Sequence, residues 1–433
     1  MIGKFYNFFN NDDKYQKLGQ YSFLIGIILL PSAISISLIF LIFASLISYI
    51  NKEKIKFDNK LILILKITSF LMILRNIKLL IDIPTEIVNF NNLNSWVDLF
   101  NWIPLFYFFW SFQLYIRTEK QRDLFIKSAL IGTVPVIFSC ISQSWFGIYG
   151  PFSTLNGLII WFQKPPQHPG IVSGLFNNPN YAAFWLASMW PFSLTLNIKN
   201  KKNIFKIIFS FLILYFTILT NSRNALFSIL ASLPIFLGFK SIIYISLIIS
   251  LFLLTNIFSE FLLENVKSIN NFIPLKLINK LIRLEFIDFR NIIRLDIYFK
   301  AIKLILRKPI FGWGASTFPF LFITLGSNFR PQHTHNISLE IAFNYGLPVS
   351  IILTSLISYI AYKSFRIIFF DKYFSTISNK AWYSTFIVSL IFNFTDITYY
   401  DGKFSTYTWI ILSGLFAIIQ ESKYSKEFNK LKI

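Results

Sequence analysis

Two of the three histidines in this 433-residue chain lie two positions apart, in Arg330-Pro-Gln-His333-Thr-His335-Asn336. Imidazole titrates near neutrality, at an unperturbed pKa of about 6.5, so it can carry a proton or bind a metal. No carboxylate or thiolate stands beside the pair in sequence, so a metal centre is not expected. The local alternative is structural, with Asn336 capping a helix that begins at Ile337. Three other segments hold chemically capable side chains. Ser173-Gly-Leu-Phe-Asn177-Asn-Pro-Asn180 is rich in turn formers. Asn221-Ser-Arg223 is a very short turn, and its arginine reads locally as an interface residue reaching for water. Arg294-Leu-Asp-Ile-Tyr298 continues to Pro309-Ile-Phe-Gly312-Trp-Gly314-Ala-Ser-Thr317, which reads as an amphipathic helix ended by a glycine loop.

Other chemistries are excluded by what is missing. There is no Gly-x-x-x-x-Gly-Lys-Ser/Thr loop for ATP, no Cys/His spacing for zinc and no Asp-x-Asp pair for a metal–nucleotide sugar. Gly312-Trp-Gly314 is too short for a dinucleotide fingerprint. The single cysteine, Cys140, lies in an apolar stretch and has no partner for an intrachain disulfide. No cofactor is expected.

The elements that must position these residues are helices in a bilayer. Hydrophobic residues make up 55% of the chain and charged residues 14%, against about 25% charged in soluble domains. The net charge of +21 sits in short loops between apolar segments, which is how orientation in a membrane is set; a nucleic-acid binder would gather it on one soluble face. Apolar segments fall at 60–81, 97–116, 124–145, 180–197, 204–220, 224–239, 241–258, 337–362, 381–399 and 404–420. The stretch from Tyr21 to Ile50 is too long for one span, at about 45 Å as a helix. Pro31 and the small residues after it predict a hairpin of two short helices. Lysines before Tyr21 and after Ile50 support that reading, because both flanks then lie on one side. The expectation is an all-α polytopic membrane protein, a single domain of about twelve spans with both termini cytoplasmic. The mixed, polar first twenty residues predict no cleavable signal. The segment 259–336 is then one large outer loop carrying short amphipathic helices, and all four chemical segments fall at the outer face.

In this order and spacing, the Ser-Arg turn, the arginine helix leading into Pro-x-x-Gly-x-Gly and the His-Asn entering the next span resemble the O-antigen ligase and polymerase superfamily of bacterial envelope glycosyltransferases. The resemblance runs from the first hairpin to the last span. Two positions depart from the family pattern. Asn344 stands where an acidic residue is common, and Gly170-Ile-Val replaces a basic residue before the Ser-Gly-x-Phe turn. The resemblance implies a bacterial inner-membrane enzyme working at its periplasmic face, with no metal. Its donor would be a glycan on undecaprenyl diphosphate, already activated and needing no nucleotide. A departing diphosphate needs cations, and arginine pairs bidentately with phosphate oxygens. The resemblance therefore casts Arg223 and Arg294 as a clamp, Arg330 as a third cation, and His335 as the base that deprotonates the acceptor hydroxyl, with His333 as the alternative. Asn177 and Asn180 are candidates for contact with sugar hydroxyls or, the favoured reading, for shaping their turn; Asn336 is a further candidate for substrate contact, and Asp396 for orienting an arginine. The leading acceptor is lipid A–core. A repeat-unit polymerase or a protein O-oligosaccharyltransferase would share the donor, and a bicarbonate or solute transporter is the more distant alternative.

Overall fold

A computed structural model of the chain describes residues 14–52, 55, 59–81, 91–165, 170–199, 204–238, 240–243, 246–247, 289–327 and 329–430. The expected span 241–258 lies almost wholly outside them, as does 259–288 of the expected loop.

The described residues are almost entirely helical. Helices α1 (Lys14–Leu29) and α2 (Ile34–Ile50) replace a single long span. They run antiparallel, because Ser37 donates to the Gly26 carbonyl at 2.7 Å while Gly19 faces Ile47. Gly26 and Gly19 leave no room for a Cβ, which lets the two backbones close up. Helix α3 (Asn59–Ile81) follows.

The expected span 97–116 is instead broken into α4 (Leu93–Asp98), a 3₁₀ turn, α5 (Ile103–Ser111) and α6 (Gln113–Ile116). Pro104 sits in the first turn of α5 and cannot extend the helix before it, since it lacks the N–H and crowds the carbonyl four residues back. Helix α7 (Glu119–Phe146) opens on a capping box between Thr118 and Gln121. Among the described residues a small hairpin, β1 (Phe152–Thr154) against β2 (Ile159–Trp161), adds a strand pair that the all-helical reading omits. Helices α8 (Pro179–Lys199), α9 (Ile204–Leu219) and α10 (Arg223–Leu237) come next, then α11 (Phe289–Arg307) and α12 (Phe318–Thr324).

The expected span 337–362 divides at Gly346 into α13 (Ile337–Tyr345) and α14 (Leu347–Phe370); α15 (Ile377–Thr395) and α16 (Gly402–Lys430) complete the chain. The break has a clear cause. Gly346 has φ +91 and is followed by Pro348, and a Cβ on it would meet the Ile310 carbonyl at 2.0 Å. The loop after α11 occupies that space. Trp313 N–H and Gly314 N–H donate to the carbonyls of Phe343 and Asn344, and Leu347 N–H donates to the Pro309 carbonyl. The Pro-x-x-Gly-x-Gly motif is thus a strap that satisfies the end of α13 and the start of α14.

Three described helices are long and apolar enough to cross a membrane (Glu119–Phe146, Leu347–Phe370 and Gly402–Ser425), and Ile34–Ile50, Ile204–Leu219 and Arg223–Leu237 are shorter apolar helices. Large apolar side chains such as Phe70, Phe138, Phe211 and Phe227 are exposed on helix exteriors, which in water would be a liability and in lipid is the normal surface. The interior is a continuous aromatic and aliphatic core. A second, smaller core joins Ile297, Ala301 and Leu304 of α11 to Trp313, Phe318, Phe322 and Phe343. That core fixes α11 against α13, and so fixes Arg294 relative to the histidines.

Candidate active site

The His-x-His segment enters α13 at a capped start. Asn336 accepts from Ser338 N–H and Leu339 N–H at 3.1 Å, and its amide nitrogen donates to the Phe394 carbonyl at 3.4 Å. Its polar atoms are therefore committed to holding the segment. His335, just before it, has φ +56, a conformation that costs a non-glycine residue of order 1–3 kcal/mol and persists only when its surroundings impose it. The surroundings here are identifiable. Tyr298 of α11 donates its hydroxyl to the His335 carbonyl at 3.3 Å, and His335 N–H donates to His333 Nδ1 at 3.3 Å.

Asp396, the residue after α15, completes the arrangement. Its Oδ1 lies 3.2 Å from His335 Nδ1, and its Oδ2 accepts from Asn180 Nδ2 at 3.0 Å. The contact makes His335 Nδ1 the proton-bearing nitrogen of the neutral ring and leaves the Nε2 lone pair available. Asp396 was expected to orient an arginine. It hydrogen-bonds the histidine and Asn180, while Arg294, one turn before Tyr298, is near enough for its charge to act on Asp396, His333 and Tyr298.

His333 packs edge-on to His335, with ring centroids 4.3 Å apart. Burial pushes its pKa down to about 4, and the neighbouring His335 ring and the Arg294 charge push the same way against the attraction of Asp396. It is neutral at pH 7. Since its Nδ1 accepts a backbone N–H, its proton sits on Nε2.

One nitrogen from each histidine and one Asp396 oxygen lie within 4.8 Å of one another. A carboxylate absent from the neighbouring sequence is therefore present in space, and the three groups have the composition of a metal site. Against a metal, Arg294 adds a positive charge to the same spot and His335 Nδ1 is already engaged.

Beside the histidines lies a cleft of about 320 Å³, lined by Asn94, Val97, Asp98, Asn101, Ser316, Gln332, His333, Glu340 and Tyr400. Its buried carboxylates are fully engaged. Glu340 accepts from Thr334 N–H at 2.8 Å and from Asn344 and Tyr400 at 3.2 Å each; Asp98 accepts from Tyr345 at 2.6 Å and Asn101 at 3.1 Å. Amides, hydroxyls and carboxylates beside the rings of His333 and Tyr400 suit a polyhydroxylated ligand. Asp98, Asn94, Asn101, Gln332 and Tyr400 escaped the sequence reading. The one available signal was an acidic residue, Asp98, set in an apolar run.

The other expected residues sit as follows. Arg223 opens α10 after a turn in which Asn221 has φ +56. That turn is tied to the Asn177–Asn180 segment, because Val172 N–H donates to the Leu219 carbonyl at 3.2 Å. The contacts Thr385 to Ser188 and Asn180 to Asp396 make α8 and α15 antiparallel. The Arg223 turn, the asparagine turn and Asp396 therefore share one end of the bundle. Asn177 is exposed there, while Asn178 accepts from Asn180 N–H and shapes the turn. Arg330 is exposed and stacks on Phe320, 4.1 Å from its ring centre, three residues from His333 and turned to a different partner.

No curated protein matches the chain. The model of the O-antigen ligase family matches residues 208–354, so over the stretch that holds the Ser-Arg turn, the arginine helix, the glycine strap and the His-x-His segment the chain is similar to the O-antigen ligase family, which supports the resemblance to that superfamily.

Proposed function

We propose that the protein transfers a glycan from undecaprenyl diphosphate to an acceptor hydroxyl, most specifically O-antigen to lipid A–core, at the periplasmic face of the bacterial inner membrane. The carrying observation is the His335–Asp396 pair, with Arg294 acting on it electrostatically and a polar cleft alongside.

In the proposed step, His335 Nε2 takes the proton from the acceptor hydroxyl. The acceptor oxygen bonds to the anomeric carbon as the bond from that carbon to the diphosphate oxygen breaks. The diphosphate leaves with the electron pair, and Arg294 and Arg223 meet the charge that develops. Asp396 fixes the ring and stabilises the imidazolium that forms, as in other His–carboxylate pairs. Neutral His333 bears an Nε2–H and lines the cleft, so it donates to the incoming sugar. Asn94, Asn101, Gln332 and Tyr400 hold that sugar. A metal has no role here, because a cation would compete with Arg294.

The same reading takes the chain as one domain of about twelve spans with both termini cytoplasmic, and 259–336 as its outer loop. It is supported by the lysine-rich flanks of α1 and α2 and by the clustering of the chemical segments at one end of the bundle. In proteoliposomes holding lipid-linked glycan and lipid A–core, wild type should join the two and His335→Ala should not, while both remain folded and inserted. Undiminished transfer by His335→Ala would overturn the assignment. A product of lengthened lipid-linked chains in place of glycosylated lipid A–core would make the protein a polymerase.

A further inference from the structure

A second cleft, of about 200 Å³, is lined by the first residues of the glycine strap, and its walls include Arg75 and Lys78 of α3, Lys308, Ile310 and Phe311. Among the described residues, three of those lining it are cations and none is acidic. Arg75 is buried, 2% exposed, on a helix of apolar sequence. The lysines rest on aromatic faces, Lys78 Nζ 4.3 Å from the centre of Phe311 and Lys308 Nζ 4.3 Å from that of Trp313. Such contacts are weak where water reaches them, so both ammonium groups stay available to an anion.

We infer that this cleft binds the phosphate of a membrane lipid. The charge calls for a multiply charged oxyanion, and arginine with two lysines is a phosphate-binding set. The lipid follows from the surroundings. Ile310 lines the cleft and is 64% exposed, and Ile77, Leu80 and Ile81 on α3 are exposed next to Lys78. A headgroup phosphate on the cations would lay its chains on those side chains. The volume is below the ~300–1,000 Å³ typical of sites that enclose a whole ligand, and suits a headgroup whose remainder lies outside.

The strap makes this site neighbour to the other cleft. Lys308 to Gly312 wall the cationic side, and Ser316 walls the sugar side. Asn76 donates to the Ser95 carbonyl and Ser95 to the Ala315 carbonyl, both at 2.7 Å, so α3 and the strap are locked together. A phosphorylated lipid held here would be placed to present its sugar across the strap. Its role as the acceptor's anchor rests on the transfer reading above; the binding itself does not.

The test uses the full chain in detergent micelles, with retained lipid counted by native mass spectrometry. Wild type should keep phosphatidic acid in preference to phosphatidylcholine. The surface double variant Lys78→Gln/Lys308→Gln should lower that retention at least tenfold, and Arg75→Gln should lower it too. Equal retention by the double variant, or no preference in wild type, overturns the site. Inorganic phosphate competing as well as phosphatidic acid overturns the lipid assignment in favour of a free anion. Loss of phosphatidic acid with unchanged glycan transfer overturns the acceptor role alone, whereas failure of transfer by wild type bears only on the earlier reading.

Discussion

His335 Nδ1 and Asp396 Oδ1 stand 3.2 Å apart although 61 positions separate them in sequence. They are brought together by two independent pieces of packing. Tyr298 holds the His335 carbonyl from α11, and Asn180 holds the far oxygen of Asp396 from α8.

That geometry sets the first prediction. Asp396→Asn should fold normally and lower the transfer rate about 10²–10⁴-fold, the range expected when a general base loses its correct tautomer or position. The double variant His335→Ala/Asp396→Asn should be no slower than His335→Ala alone, because the two act as a unit. Multiplying effects in a single-turnover assay would show that they act separately.

The cations make a second. Arg294→Lys keeps the charge and loses the bidentate fork, so transfer should fall about tenfold or more; Arg294→Ala and Arg223→Ala should abolish it. Tyr298→Phe, which frees the His335 carbonyl, should reduce transfer less than Arg294→Ala. Equal activity of Arg294→Lys and wild type would remove the fork from the mechanism.

His333 gives a stability test. Its folded pKa, about 4, lies below the value near 6.5 of an unfolded chain. Between those values the unfolded state binds the extra proton. Stability from this group is therefore full above about pH 6.5 and is lost as pH falls toward 4. Melting temperature in detergent should drop across that window in wild type and drop less in His333→Gln. Parallel curves would show that His333 is not the titrating group.

Metal dependence is checked by chelation. With Arg294 beside the histidines, EDTA should leave transfer unchanged, and added zinc should slow it by competing for the two imidazoles and Asp396. Loss of activity on chelation, restored by a divalent ion, would require a metal at that spot.

The strap supplies the fifth. Gly346→Ala places a Cβ 2.0 Å from the Ile310 carbonyl at φ +91. It should cost about 2 kcal/mol or more of stability, read as a lower melting temperature. Gly402→Ala, where a Cβ meets open space, is the matched control.

Much of this was legible in the sequence. The break between α1 and α2 followed from length and charge, and the cap at Asn336 from residue type. The histidine pair and the arginines stood out by position. What escaped depends on distant chain. Asp396 looked like a partner for an arginine because nothing local ties it to a histidine 61 residues earlier. Hydropathy ran unbroken through 337–362, since the turn at Gly346 is stabilised by N–H groups of a loop some thirty residues upstream and not by polar residues of its own. Pro104 did mark the break in 97–116, but the apolar run around it hid the mark. The cleft drew on Asn94, Gln332 and Tyr400, three residues that share no pattern until the fold assembles them.

One feature of α11 bears on timing. Arg294 and Tyr298 occupy successive turns of a single helix; in the proposed reaction the first would meet the diphosphate, and the second holds the carbonyl of His335. On that reading, a carrier that draws the arginine toward itself would also tug on the carbonyl of His335. Donor arrival and alignment of His335 would then be one event, and the protein would stay idle with acceptor alone.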